Sequence, residues 1–268
     1  MQALHHAQFL KLHQAPSGIL LLPNAWDAAS ARIFEASGAV AVATSSASLA
    51  WACGYADGGA LPPHELLDAV ARITRVLKVP LTVDMEDGYS QDPAEVGRLA
   101  AELVDVGAVG INLEDGGDAP ALLADKIRAI RAALKGKPLF INARTDVYLR
   151  KLKVEGTPAQ VSITRLKLYQ EAGADGAFVP GLTALPEVKE ISAAITMPLN
   201  VMAMPGLPAI TALQEAGARR ISVGPCPFQV AYEHARTSVE ALLKQDLSPL
   251  LGPKLDYSAM NALLVAGR

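Results

Sequence analysis

Eight short β-branched and apolar runs, separated by longer stretches of helical periodicity, restrict this 268-residue chain to few folds. The runs are residues 19–26 (ILLLPNAW), 39–45 (AVAVATS), 80–86 (PLTVDME), 110–115 (GINLED), 139–145 (LFINART), 176–181 (GAFVPG), 199–204 (LNVMAM) and 220–224 (RISVG). Between them, residues 63–78 set Leu66, Leu67, Val70, Ile73 and Leu77 on one helical stripe, with Pro63 suited to the first turn. Residues 92–106 open on Asp92-Pro93-Ala94-Glu95, an N-cap followed by Pro at N1 and Glu at N3. Four predicted helices close on Gly-Ala, at Gly38-Ala39, Gly107-Ala108, Gly173-Ala174 and Gly217-Ala218, with each Gly placed for the left-handed C′ position. Repeated βα units predict an α/β fold, and eight of them predict a closed (β/α)8 TIM barrel. The barrel is expected over residues 1–244 as one catalytic domain. A C-terminal helical extension, 245–268, with a short helix around Tyr257–Val265, is expected to pack on the barrel or on a neighbouring copy.

Several partners are excluded by composition. A net charge of −3, with Lys and Arg scattered, offers no basic face to nucleic acid. The two cysteines, Cys53 and Cys226, show no CxxC spacing and cannot build a disulfide framework, which fits a reducing compartment. The first 18 residues lack a basic segment followed by an apolar one, and no apolar run reaches the roughly 18 residues of a membrane span. A cytoplasmic protein without a membrane partner is expected.

In such a barrel the chemistry sits at the C-terminal ends of the strands, and the acidic residues of this chain gather there. The third run ends Asp84-Met85-Glu86-Asp87-Gly88-Tyr89, the fourth Asn112-Leu113-Glu114-Asp115, and the fifth Arg144-Thr145-Asp146; Asp57 follows the second on a Gly-rich loop. Period-two alternation puts Asp84 and Glu86 on one face, and Asn112 and Glu114 on one face. Carboxylates converging in a partly dry mouth cost several kcal/mol unless one is protonated or a cation sits among them. Oxygen ligands without nearby His or Cys favour Mg2+, or Mn2+, over Zn2+. Asp87, Asp115 and Asp146 also fit ordinary turn or cap positions. Arg144 suits a carboxylate clamp, or an ion pair with Glu114. Ser45 and Ser46 offer hydroxyl and N–H groups to a carboxylate or oxyanion. The histidines (His5, His6, His13, His64, His234) lie off the strand ends, so a His-based mechanism is not expected; His64 alone follows the Asp57 loop. Cys53 reads as a small buried residue.

In this order, Asn24-Ala25-Trp26-Asp27, Ser45-Ser46, Gly54-Tyr55-Ala56-Asp57, Val83 to Tyr89, Glu114-Asp115 and Ala143-Arg144-Thr145-Asp146 resemble the isocitrate lyase/phosphoenolpyruvate mutase superfamily over nearly the whole chain. The resemblance implies a TIM barrel that often exchanges its last helix with a partner, giving homo-oligomers, dimers or tetramers. It implies Mg2+ contacted directly by Asp84, and through water by Asp57, Glu86 and Glu114. It further implies substrate binding by Arg144, by the Ser45-Ser46 segment and by Asn200. Members make or break C–C or P–C bonds beside a 2-oxo acid. The lyases carry a Lys-(Lys/Arg)-Cys-Gly-His motif after the fourth strand and a Glu at the sixth. Here residues 114–121 read EDGGDAPA, short and without Cys, Lys or His, and the sixth run reads Val179-Pro180-Gly181.

The expected function is therefore Mg2+-dependent C–C cleavage of a small 2-oxo acid or related dicarboxylate through an enolate. Arg144, Asp57 and Glu114 are the candidate catalytic residues. Ser45, Ser46, Asp84, Arg144 and Asn200 are the candidate substrate-binding set. Phosphonopyruvate hydrolase or mutase P–C chemistry is the first alternative. A ketopantoate hydroxymethyltransferase-like enzyme and a non-catalytic 2-oxo acid binder are the others.

Overall fold

The computed structural model describes residues 2–14, 18–153 and 155–265, so the last three residues of the expected tail lie outside it. Nine parallel strands form one sheet: β1 Leu20–Leu22, β2 Asn24–Ala25, β3 Val42–Thr44, β4 Leu81–Asp84, β5 Gly110–Glu114, β6 Phe140–Arg144, β7 Gly176–Phe178, β8 Leu199–Met202 and β9 Ala218–Ser222. β1 pairs with β9, and β2 pairs with β3. The first predicted run, 19–26, is thus one barrel strand broken at Pro23, which has no N–H to give to a ladder. Asn24 bridges the break: its Nδ2 donates to Thr44 O at 2.6 Å, and its Oδ1 accepts from Val223 N at 2.9 Å and Gly224 N at 3.1 Å. The eight-stranded (β/α)8 barrel closes there.

Around it run α2 Ala28–Ala36, α4 Pro63–Thr74, α5 Pro93–Asp105, α6 Pro120–Leu134, α7 Pro158–Ala172, α8 Leu185–Ala194 and α9 Ile210–Glu215, with the short α3 Ser46–Ala52 following β3. Pro63, Pro93, Pro120 and Pro158 open their helices, where a missing N–H removes nothing. Gly38, Gly107, Gly173 and Gly217 all adopt positive φ, from 101° to 111°, as the Gly-Ala pattern predicts. The Asp92 side chain caps α5 by accepting from Ala94 N, and Thr157 forms a capping box with Gln160.

α1 Gln2–Gln14 closes the N-terminal end of the barrel. Its Phe9 is fully buried among Leu20, Leu22, Ala41, Ala43, Val109 and Phe140. His13 stacks on Phe140 with ring centroids 4.3 Å apart and donates Nδ1–H to Phe9 O; burial drives its pKa down to about 3, so it stays neutral. The strands opposite make room by omitting side chains. A Cβ on Gly110 would lie 3.0 Å from the Phe9 ring, and one on Gly176 would lie 2.7 Å from the Phe140 ring.

α10 Cys226–Leu243 departs from this pattern. Phe228 is its one buried residue, and Val230, Tyr232, Val239, Leu242 and Leu243 are exposed. α11 Ser248–Leu251 and α12 Tyr257–Val265 follow, with Arg32 Nε donating to Leu263 O at 3.0 Å. No described helix is long and apolar enough to cross a membrane.

Gly176→Ala should destabilise the barrel by about 1–3 kcal/mol, because the added methyl meets an aromatic ring and Asn142 Oδ1 in a closed core. A thermal melt reads this as a lowered Tm; an unchanged Tm would show that Phe140 yields freely.

Candidate active site

The site is assembled from the last residues of β4, β5 and β6. Asp84 ends β4, directly across from Asn112. Its backbone N–H donates to Thr44 Oγ1 at 2.9 Å, and its Oδ2 accepts from Ser46 N at 3.2 Å. Oδ1 is buried with no partner among the described residues. Burial raises the Asp84 pKa above the usual carboxylate range; Arg144 and Ser46 act against that, and Asp57 adds to it.

The expected alternation of Asp84 and Glu86 stops at Asp84, where the strand ends. Glu86 instead takes a left-handed backbone, φ 51°, and Tyr89 another, φ 62°. Such conformations cost a non-glycine residue about 1–3 kcal/mol and gather at functional sites. The turn carries the Glu86 carboxylate into the cavity, where Oε1 accepts from Tyr89 OH at 3.2 Å. Burial, then Asp57 and Asp84, push the Glu86 pKa to about 7. From outside, the buried Lys126 holds the turn by donating to Asp87 O at 2.7 Å.

Glu114 and Arg144 are register partners at the ends of β5 and β6. Arg144 Nη1 pairs with Glu114 Oε2 at 2.5 Å, while Nε and Nη2 grip the two oxygens of Asp146 at 2.7 and 3.1 Å. Arg150 Nε shares Asp146 Oδ2 at 2.9 Å, and its Nη2 lies 3.6 Å from Glu114 Oε1. Asp146 is itself set by Asp115: Oδ1 accepts from Asp146 N at 2.9 Å, and Oδ2 from Arg165 Nη1 at 2.8 Å and Tyr169 OH at 2.6 Å. Despite its ion pair, Glu114 is pushed up to about 8 by burial, with Asp146 and Asp84 adding to the rise and Arg144 and Arg150 opposing it. The same acids raise Arg144, which stays charged.

These groups line two connected cavities. An outer cleft of about 760 Å³ holds Asp57, Glu86, Glu114, Arg144 and Arg150, and an inner pocket of about 140 Å³ holds Asp84, Asn112 and Phe178. Ser46, Asp57 and Arg144 belong to both. Of the four expected acids, Asp57, Glu86 and Glu114 line the outer cleft, and Asp57 and Asp84 line the inner pocket. Ser45 also lines the inner pocket, but its hydroxyl caps α3 by accepting from Ser48 N at 3.5 Å. Asn200 lies one step further in, fully buried, its amide hydrogen-bonded to the Ser222 hydroxyl at 2.9 and 3.0 Å, and it lines neither cavity. His64 is exposed and outside both cavities, and Cys53 is half-buried with its thiol pushed up by burial. No three acidic, His or Cys side chains among the described residues stand close enough to ligate one ion together.

Among the cleft residues not expected in the site are Tyr89 and Arg150. The i,i+4 spacing of Asp146 and Arg150 was the available signal for the second.

Comparison with known proteins agrees with this architecture. The family described as phosphoenolpyruvate phosphomutase matches residues 9–243. An uncharacterised protein of Mycobacterium tuberculosis is 34% identical over 249 residues, 91% of this chain and 92% of that one. An oxaloacetate decarboxylase of Bradyrhizobium sp. (strain BTAi1) is 32% identical over 213 residues, 74% of this chain and 70% of that one. The crystal structure of a candidate phosphonomutase from Burkholderia cenocepacia J2315 superposes with a TM-score of 0.84 at 37% identity, covering 90% of this chain and 99% of that one. The chain belongs to the phosphoenolpyruvate phosphomutase family, within the isocitrate lyase/phosphoenolpyruvate mutase superfamily of lyases and mutases.

Proposed function

We propose that this protein is an Mg2+-dependent lyase that cleaves a C–C bond beside the carbonyl of a small 2-oxo acid. One observation carries the reading: Asp57, Asp84, Glu86 and Glu114 line two adjoining cavities at the strand ends with only Arg144 and Arg150 as cations, and Asp84 Oδ1 is buried there with no partner among the described residues, which leaves the acids short of positive charge. A hard divalent cation supplies that charge. The unpartnered Asp84 Oδ1 fits a single direct ligand, and Asp57, Glu86 and Glu114 fit partners of metal-bound waters. Mg2+ keeps several waters and needs no cluster of three protein ligands. When bound, the ion would act as a Lewis acid toward negative charge developing on the 2-oxo oxygen.

The rest falls to the chain's own groups. Arg144, fixed from both sides by Glu114 and Asp146, keeps two N–H bonds for a substrate carboxylate. As the C3–C4 bond of an oxaloacetate-like acid breaks, the C4 carboxylate leaves as CO2, the bonding electron pair stays on the remaining three carbons as an enolate, and Arg144 stabilises that charge in a partly dry pocket. The EDGGDAPA turn has no Cys, Lys or His to deliver a proton, so the enolate carbon takes one from water in the open cleft. P–C cleavage of a phosphonopyruvate-like acid is the second reading, favoured by the phosphonomutase likeness. Incubation with Mg2+ and oxaloacetate, methylisocitrate or phosphonopyruvate, following pyruvate, separates them; turnover of the phosphonate alone would replace the lyase reading. We further propose that the sparsely buried α10 and residues 245–265 pack against another copy of this chain, as a dimer or tetramer. Light scattering should give a multiple of 28.1 kDa, and a monomer would end that expectation.

The electrostatics set how the fold and the site respond to pH, to Mg2+ and to substitution. Without a divalent ion, Glu86 and Glu114 bind protons in the fold that the unfolded chain, at 4.5, has lost. Stability should therefore fall as pH rises from about 4.5 to about 8. Mg2+ competes for the same oxygens, so it should raise Tm more at about pH 8 than at about pH 5.5. Asp84→Asn should remove that Mg2+ increment; an equal increment in the variant would show the ion is held elsewhere. Arg144→Lys should raise KM about tenfold or more, since an ammonium cannot reproduce the fork, and an unchanged KM would take Arg144 out of the site.

A further inference from the structure

Two guanidinium groups line the cleft, Arg144 and Arg150, and they differ in what remains free. Arg144 is 14% exposed, and each of its three nitrogens already contacts an acid. Arg150 donates only through Nε, to Asp146 Oδ2 at 2.9 Å. Its Nη2 is 3.6 Å from Glu114 Oε1, beyond hydrogen-bond distance, and neither Nη has a hydrogen-bond partner among the described residues. Four N–H bonds are therefore available on a group that is fixed at its base and 52% exposed at the cleft.

The Arg150 guanidinium lies over the turn after β5, where a Cβ on Gly116 would stand in ordinary van der Waals contact, 3.4 Å from Nη2 and 3.6 Å from Cζ. That turn, EDGGDAPA, brings no cation of its own over the cleft, and the other charged residues lining the cleft are acidic.

We propose that Arg150 is a specificity-determining residue that receives a second carboxylate, making the substrate a dicarboxylic 2-oxo acid with its near end at Asp84 and Arg144 and its far end at Arg150. This rests on the 2-oxo acid reading above and narrows it. A fork held by Asp146 through Nε keeps its outer edge aligned for a bidentate carboxylate, at less entropic cost than a free surface arginine.

The test is calorimetric titration of the whole protein in Mg2+ with two probes. 3,3-Difluorooxaloacetate is a dicarboxylic 2-oxo acid that cannot enolise; 2-oxobutyrate carries a methyl group in place of the far carboxylate. The wild type should bind the first about tenfold or more tightly than the second. Arg150→Gln should abolish that preference while leaving the 2-oxobutyrate Kd within about twofold, and Arg150→Lys should recover part of it. An unchanged difluorooxaloacetate Kd in Arg150→Gln overturns the proposal. Equal weakening of both probes also overturns it, because Arg150 would then only latch Asp146. If the wild type binds neither probe, the 2-oxo acid reading itself falls, and a melt of Arg150→Gln matching the wild type shows that the variant is folded.

Discussion

A closed parallel barrel delivers the C-terminal ends of all its strands to one ring, so a polar side chain ending a strand points into a shared mouth. Asp84, Glu114 and Arg144 end three neighbouring strands, and their charges must be balanced against one another rather than against bulk water. The architecture at this end follows from that constraint. Glu114 and Arg144 meet as register partners, Asp146 binds Arg144 from the other side, and Asp115 holds the Asp146 backbone. The ion pairs nevertheless leave Asp84, Glu86 and Glu114 with raised pKa values, because burial outweighs the single well-buried arginine among them.

That balance is maintained from behind. Asp115 accepts from Arg165 and Tyr169 of α7, and Lys126 of α6 grips the backbone of the Glu86 turn. Side chains on two outer helices thus fix groups that touch the cavity, which suits a site whose charges must not drift. Arg220 sits deeper in the barrel, fully buried, with Nη2 donating to Asn112 Oδ1 at 3.3 Å. Burial lowers its pKa to about 9 and Asp84 opposes that fall, while the Arg220 charge adds to the burial that keeps His13 neutral.

Much of this was legible from spacing. Gly-Ala at 38, 107, 173 and 217 marked helix ends because only a residue without Cβ takes a φ near 100° cheaply. Asp84, Glu114 and Arg144 were visible because each charged residue interrupts a short apolar run near its C-terminal end. Alternation failed at Glu86 for a physical reason: period two holds only while the chain is pleated, and the strand ends at Asp84. A left-handed turn reached the same cavity by another path. Arg150 escaped notice because its proximity to Glu114 depends on β5 and β6 lying side by side, which sequence neighbours do not report. The break at Pro23 was hidden for the opposite reason, since the hydrophobic run continued through it.

The Phe9 stopper at the N-terminal end has a consequence for traffic. With that end packed by aromatic and aliphatic side chains, the barrel resembles a flask with a single neck. Reactant, product and solvent all pass the same opening, so a departing molecule must clear the passage before its successor can enter, and whatever narrows that neck slows arrival and departure alike.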